Sequence, residues 1–164
     1  MEEFENATLV VACKSLSIGT HRFDFQLDDN FFSLYENTDI QHAQVSVGVE
    51  VRKMAPAQFG VSMGIEGTVE VMCDRCLEPL TLPVAAHADL EEKEVEELLH
   101  MPECELVLDQ YVYDTVCVNL PLQRMHKEGE CNPEMIKIWE ANQGHKAQEA
   151  GAFEALKDMI DKED

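Results

Sequence analysis

Cys73 and Cys76 enclose Asp74 and Arg75, and this is the one spacing in the chain that suits bond-making chemistry. Two thiolates that close together on a tight turn can both reach one soft cation. A tetrahedral site needs two further ligands, and the best placed are His126 and Cys131, in the irregular stretch between Pro121 and Asn132-Pro133. Together the four give a Cys3His set, which is a zinc set; roughly 50 residues separate its halves, more than in compact zinc fingers. Two other readings use the same pair. A thiol-redox dithiol sits where a strand feeds a helix N-terminus, which lowers the thiolate pKa. Here Leu77, Glu78 and Pro79 lead into another strand pattern, a poor context for redox work. A polar turn without metal is the third reading, and spacing alone does not separate it from zinc.

The remaining cysteines and histidines carry less. Cys117 lies beside the apolar face of a helix pattern and reads as a small core residue. Cys13 and Cys104 have no partner at ligand spacing and read as structural. His21, His42, His87, His100 and His145 are isolated. There is no Gly-rich phosphate loop, nucleophile elbow or His-Glu-x-x-His segment, so no enzyme is expected. The carboxylate runs around Glu91–Glu97 and Asp158–Asp164 read as solvated surface rather than as an acid/base pair.

The elements that must position the Cys pair are strands. Phe23, Phe25 and Leu27 alternate with polar residues, as do Ala43, Val45, Val47, Val49 and Val51. After a break at Met54-Ala55-Pro56-Ala57, Phe59, Val61, Met63, Ile65, Val69 and Val71 form a third run, in which Gly60, Gly64 and Gly67 predict a bulge or strong coiling. Leu80, Leu82, Val84, Ala86, Ala88 and Leu90 form a fourth. Period-two alternation predicts an antiparallel sheet with one buried face, and the short breaks predict a meander. The Cys pair falls in the break between the third and fourth runs.

The second half reads as helical. Residues 91–99 form a Glu-rich candidate. Asp109 is the expected N-cap of a helix carrying Val112, Val116 and Leu120, stopped by Pro121. Asn132-Pro133 caps another, with Met135, Ile136 and Trp139 on one face until Gly144. A last helix is expected to carry Phe153, Leu156, Met159 and Ile160. The expected fold is one α+β domain over 1–164: a twisted antiparallel sheet from 9–90, a meander or barrel-like, with helices of 91–164 packed on one face or end.

Charge narrows the partners. The 164 residues hold 33 Asp/Glu against 12 Lys/Arg, a net of −21, while 45% are hydrophobic, enough for a core. Residues 1–88 carry −8 and residues 89–164 carry −13. Such a surface disfavours a broad RNA contact or an anionic membrane and favours a basic protein. Any RNA contact is expected to be local, at a basic spot formed from Arg75, Arg52 and Lys53, which with Arg22 are the candidates clear of the acidic half. The acidic N-terminus has no leader pattern, and no run approaches the ~20 apolar residues of a membrane helix, so a cytoplasmic protein with reduced thiols is expected.

Val71-Met72-Cys73-Asp74-Arg75-Cys76-Leu77-Glu78-Pro79 resembles the Cys-x-Arg-Cys-Leu signature of the YceD-like family. Leu120-Pro121, His126 and Cys131 resemble that family's Leu-Pro segment followed by a His and a Cys. Ala152-Phe153-Glu154-Ala155-Leu156-Lys157 resembles its C-terminal aromatic-plus-leucine helix. Many members carry several cysteines after the Leu-Pro segment; this chain has only Cys131, which makes His126 necessary for a four-ligand site. The resemblance implies a non-catalytic factor in large ribosomal subunit biogenesis, supporting accumulation of large-subunit ribosomal RNA. Joined to the acidity, it gives the expectation of contact with a basic ribosomal protein or assembly factor. The alternatives are a zinc-binding interaction module of another role and a thiol-redox protein using Cys73 and Cys76.

Overall fold

The computed structural model describes residues 9–36 and 39–143. In chain order the elements are β1 (Val10–Ala12), β2 (Gly19–Leu27), α1 (Asp29–Ser33), β3 (Ile40–Ala55), β4 (Gln58–Met72), β5 (Pro79–Leu90), α2 (Glu92–Leu98), β6 (Leu99–His100), β7 (Glu105–Val107), α3 (Asp109–Asn119) and α4 (Pro133–Gln143). Four strands form an antiparallel meander in the order β2-β3-β4-β5, open at both edges rather than closed into a barrel. Phe25 faces Val47, and Val47 faces Ile65, so the apolar sets of the three strands share one side. Val45, Val47, Val49, Val51, Val61, Met63, Ile65, Val69 and Val71 are all buried there. Each such side chain contributes about 1.5–3 kcal/mol relative to exposure, which is why a one-residue slip is not tolerated.

The glycines of β4 do not make the expected bulge. The ladder between β3 and β4 shifts register near its ends, between Ile40 and His42 and between Lys53 and Ala55. Gly67 instead keeps the buried-face alternation where there is no room for a side chain. A Cβ there would collide with the Gln44 carbonyl and lie 2.7 Å from Val45 Cα. Two-residue periodicity therefore runs unbroken from Phe59 to Val71.

A second sheet, in the order β1-β7-β6, falls outside the sequence expectation. Val10 pairs with Val107 and Ala12 with Glu105, strands too short to show a period. The pairing continues past the strand end, where the Cys13 amide donates to the Cys104 carbonyl at 2.8 Å. Both thiols are buried, in keeping with a structural role, and burial is the first cause that pushes Cys13 up to about 11. All six cysteines are unbridged.

Asp109 does not cap α3. The cap position is Leu108, and the buried Asp109 carboxylate instead accepts the Leu9 amide at 3.0 Å. α1 was not visible as a periodic pattern. Asp28 caps it through the Asn30 amide, and it buries Phe31 and Phe32. Tyr113 of α3 stacks on Tyr35 at 3.8 Å and meets Phe32 at 6.2 Å. The helix expected around Phe153, and Gly144 itself, lie outside the described residues. No helix among the described residues is long and apolar enough to cross a membrane.

The chain divides into two compact units. The first comprises 1–71 and 81–122, and the second 72–80 and 123–164. The described part of the second is thus built from the β4–β5 connection and the segment that carries α4.

Candidate metal centre

Cys73, Cys76, His126 and Cys131 all belong to the second unit. Residues 73–78 form a tight knuckle. The Cys73 amide donates to the Glu78 carbonyl at 2.8 Å, and the Leu77 amide to the Cys73 carbonyl at 2.9 Å. Leu77 closes it with φ of 59°, a left-handed conformation that costs a non-glycine residue about 1–2 kcal/mol. That turn sends both sulfurs to the same side. His126 and Cys131 come from the loop before α4. The side chain of Asn132 caps that helix by accepting the Glu134 amide at 2.9 Å, with Pro133 in the first turn, as the Asn-Pro pair predicts.

The four ligand atoms lie within 4.8 Å of one another. Cys73 Sγ is 3.9 Å from Cys131 Sγ, Cys76 Sγ is 3.4 Å from His126 Nδ1, and Cys131 Sγ is 3.9 Å from the same nitrogen. With metal–sulfur bonds near 2.3 Å and metal–nitrogen bonds near 2.05 Å, tetrahedral edges are about 3.8 Å for S–S and about 3.5 Å for S–N. The Cys73–Cys131 and Cys76–His126 separations match those edges, and Cys131 Sγ stands about 0.4 Å further from His126 Nδ1 than its edge requires. His126 Nε2 lies 3.0 Å from the Pro79 carbonyl and donates to it, leaving Nδ1 as the lone-pair atom turned to the sulfurs. A carbonyl behind the distal ring nitrogen is the usual support of a metal-bound histidine. Cys73 and Cys76 are buried, and His126 and Cys131 half-buried.

The thiols are held unequally. Burial acts to raise Cys73, but the amides of Cys76, His126 and Arg75, with the Cys76 side chain, outweigh it and bring the thiol down to about 6. Cys131 goes the other way, to about 11, through burial first and then the sulfurs of Cys76 and Cys73. His126 is held more basic than usual, first by the Cys73 sulfur. The Cys73 thiolate is thus favoured, and that of Cys131 is disfavoured by burial and then by the neighbouring sulfurs. A divalent cation among them removes the crowding by those sulfurs. The donor set, the spacing and the supporting carbonyl all fit zinc. The pair leads into β5 and does not open a helix, so the lowering of Cys73 comes from two knuckle amides and the His126 amide and not from a helix terminus.

The residues expected to make a basic spot are placed as follows. Arg75 sits in the knuckle, its Nη2 3.4 Å from Met125 Sδ and its guanidinium 5.8 Å from the Trp139 ring centre. In the first unit, Arg52 is exposed on β3. Lys53 donates to the Cys13 and Leu16 carbonyls at 3.3 and 2.9 Å and lies 5.6 Å from the Phe59 ring. Arg22 pairs with Glu50 at 3.0 Å.

Sequence reasoning missed the residues that hold the centre together. Asp74 exchanges two bonds with Arg124, its amide donating to the Arg124 carbonyl at 2.7 Å and its carboxylate accepting the Arg124 amide at 2.8 Å. Asn132 Nδ2 donates to Glu78 Oε1 at 2.6 Å. The one available signal was an acidic residue inside the Cys pair, which also reads as an ordinary turn residue.

Among known proteins, the family model described as "Large ribosomal RNA subunit accumulation protein YceD" matches residues 61–160. No curated protein and no solved structure matches.

Proposed function

The chain belongs to the YceD family of large ribosomal RNA subunit accumulation proteins, and from that membership we propose a non-catalytic, zinc-stabilised factor in large-subunit biogenesis. The observation that carries the zinc part is the convergence of Cys73, Cys76, His126 and Cys131 within 4.8 Å. The four side chains hold the ion and saturate it, leaving no open position for substrate, so its work is to fix the fold of the second unit. Catalysis has no place in this reading.

Contact is made with a basic ribosomal protein or assembly factor. Support comes from the net charge of −21, which draws basic partners and speeds their encounter at low salt. RNA contact, where it occurs, is local and centred on exposed cations such as Arg52. Two experiments test the reading. Depletion of the protein is expected to lower large-subunit relative to small-subunit ribosomal RNA, and an unchanged ratio rejects the role. Affinity purification at low and high salt is expected to recover basic ribosomal proteins at low salt only; recovery of RNA without protein rejects the partner assignment.

A further inference from the structure

The centre draws its ligands from two segments far apart in the chain, and something other than the metal must hold those segments in register. Cys76 and His126 are 50 positions apart, and Cys73 and Cys131 are 58 apart. This chain offers one Cys pair and two single ligands, so only one half of the site is positioned by its own turn. The second half carries two latches, one beside each ligand. Arg124, two residues before His126, is tied to Asp74 by the reciprocal pair of bonds at 2.7 and 2.8 Å. Asn132, next to Cys131, is tied to Glu78 at 2.6 Å.

Neither latch uses a ligand atom. Neither therefore needs an ion as a bonding partner. Asp74 is the stronger of the two because it works through both its backbone and its side chain, and it lies between the two cysteines whose sulfurs it must align. Its carboxylate accepts from a main-chain amide, so an oxygen in that place is what matters, not its charge.

We infer that Asp74 is a positioning residue that, through Arg124, holds His126 at ligand distance from Cys73 and Cys76 before the metal arrives. The inference rests on the zinc reading above. A site formed in advance loses less chain entropy on binding, so loss of the latch weakens metal affinity while leaving the ligand set intact.

The test uses the full chain, with zinc and cobalt(II) as probes. Competition against a chromophoric chelator is expected to give Asp74→Ala a zinc Kd about tenfold above that of the unaltered chain, the lower end of the range for direct partners of metal ligands, because Asp74 bonds the segment beside His126 and the variant keeps its main-chain bond to Arg124. Asp74→Asn, which keeps an acceptor oxygen, is expected to recover most of that loss. The cobalt spectra of all three are expected to share the tetrahedral, thiolate-bearing pattern. Equal zinc affinity in Asp74→Ala overturns the inference, as does Asp74→Asn as weak as Asp74→Ala. Amide hydrogen exchange on the unaltered, zinc-free chain guards against a variant that fails to fold. The Arg124 amide is expected to be protected, and exchange at the rate of an open loop overturns the inference even if zinc binds. If the unaltered chain takes up neither metal, the zinc reading itself fails, which the competition assay reports separately.

Discussion

Gly67 offers a sharp test of how the sheet is built. It faces Val45 across the β3–β4 ladder, on the buried side. Alanine at 67 would place its methyl against the Gln44 carbonyl and 2.7 Å from Val45 Cα. Both obstacles are main-chain atoms inside a ladder that extends on either side, so no rotamer change relieves the contact. Gly64, three residues earlier and on the other face, has nothing within 4 Å of its missing Cβ. Alanine at 64 is expected to gain about 0.5–1 kcal/mol, because glycine loses more chain freedom on entering a strand. Alanine at 67 collects the same gain but meets an overpacking cost at or above the top of the usual range, about 3 kcal/mol. The net is about 2 kcal/mol of destabilisation, and about 3 kcal/mol between the two variants. For a chain of this size that corresponds to a separation of about 10 °C in Tm. Thermal unfolding followed by far-UV circular dichroism, with urea unfolding to compare midpoints and slopes, measures it. Equal midpoints for the two alanine variants, or a Gly67→Ala chain more stable than the original, would refute the account of β4.

Three further outcomes are expected. Elemental analysis should find one zinc per chain, and Cys131→Ser or His126→Ala should lose it or bind at least tenfold more weakly; full occupancy in both variants would remove these residues from the site. Asp109→Ala should cost about 1–3 kcal/mol, because it strips the buried Leu9 amide of its acceptor, with Asp109→Asn costing less; urea midpoints decide. His42 should titrate above its usual value, chiefly through its 2.9 Å bond to Asp29, and Asp29 below its own, through that same bond and then the Ala43 amide. The contribution of the pair is therefore complete only between the ordinary Asp and His values, and is lost as pH rises from the ordinary His value through the raised one of His42, or falls from the ordinary Asp value through the lowered one of Asp29. NMR titration checks this, and an unchanged His42 midpoint in Asp29→Asn would contradict it.

How much of this was legible in the sequence depended on whether the signal was local. The long strands declared themselves because Val45 to Val51 and Phe59 to Val71 repeat the same choice at every second position. α4 was legible because Asn132-Pro133 is a cap and first turn in adjacent residues. The ligand set was legible too, because Cys and His are few. What stayed hidden was settled by distant partners. β1 finds β7 nearly the whole length of the first unit away, and three residues carry no period. Asp109 looked like a cap until Leu9 claimed it. Gly67 looked like a bulge because the close approach of Gln44 and Val45 cannot be read from β4 alone. Asp74 looked like a turn residue because Arg124 lies 50 positions downstream.

The division of the ligands between a hairpin turn and a late loop also sets a timetable. A ribosome adds about 5–20 residues per second. Cys73 and Cys76 are therefore made several seconds before His126 and Cys131 follow them, and for that interval the chain presents a bare vicinal dithiol. The Cys73, Cys76, His126 and Cys131 cluster can close only after α3 has been made. A chain cut short after α3 would contain every described strand of both sheets and still have only Cys73 and Cys76 of the four-residue cluster.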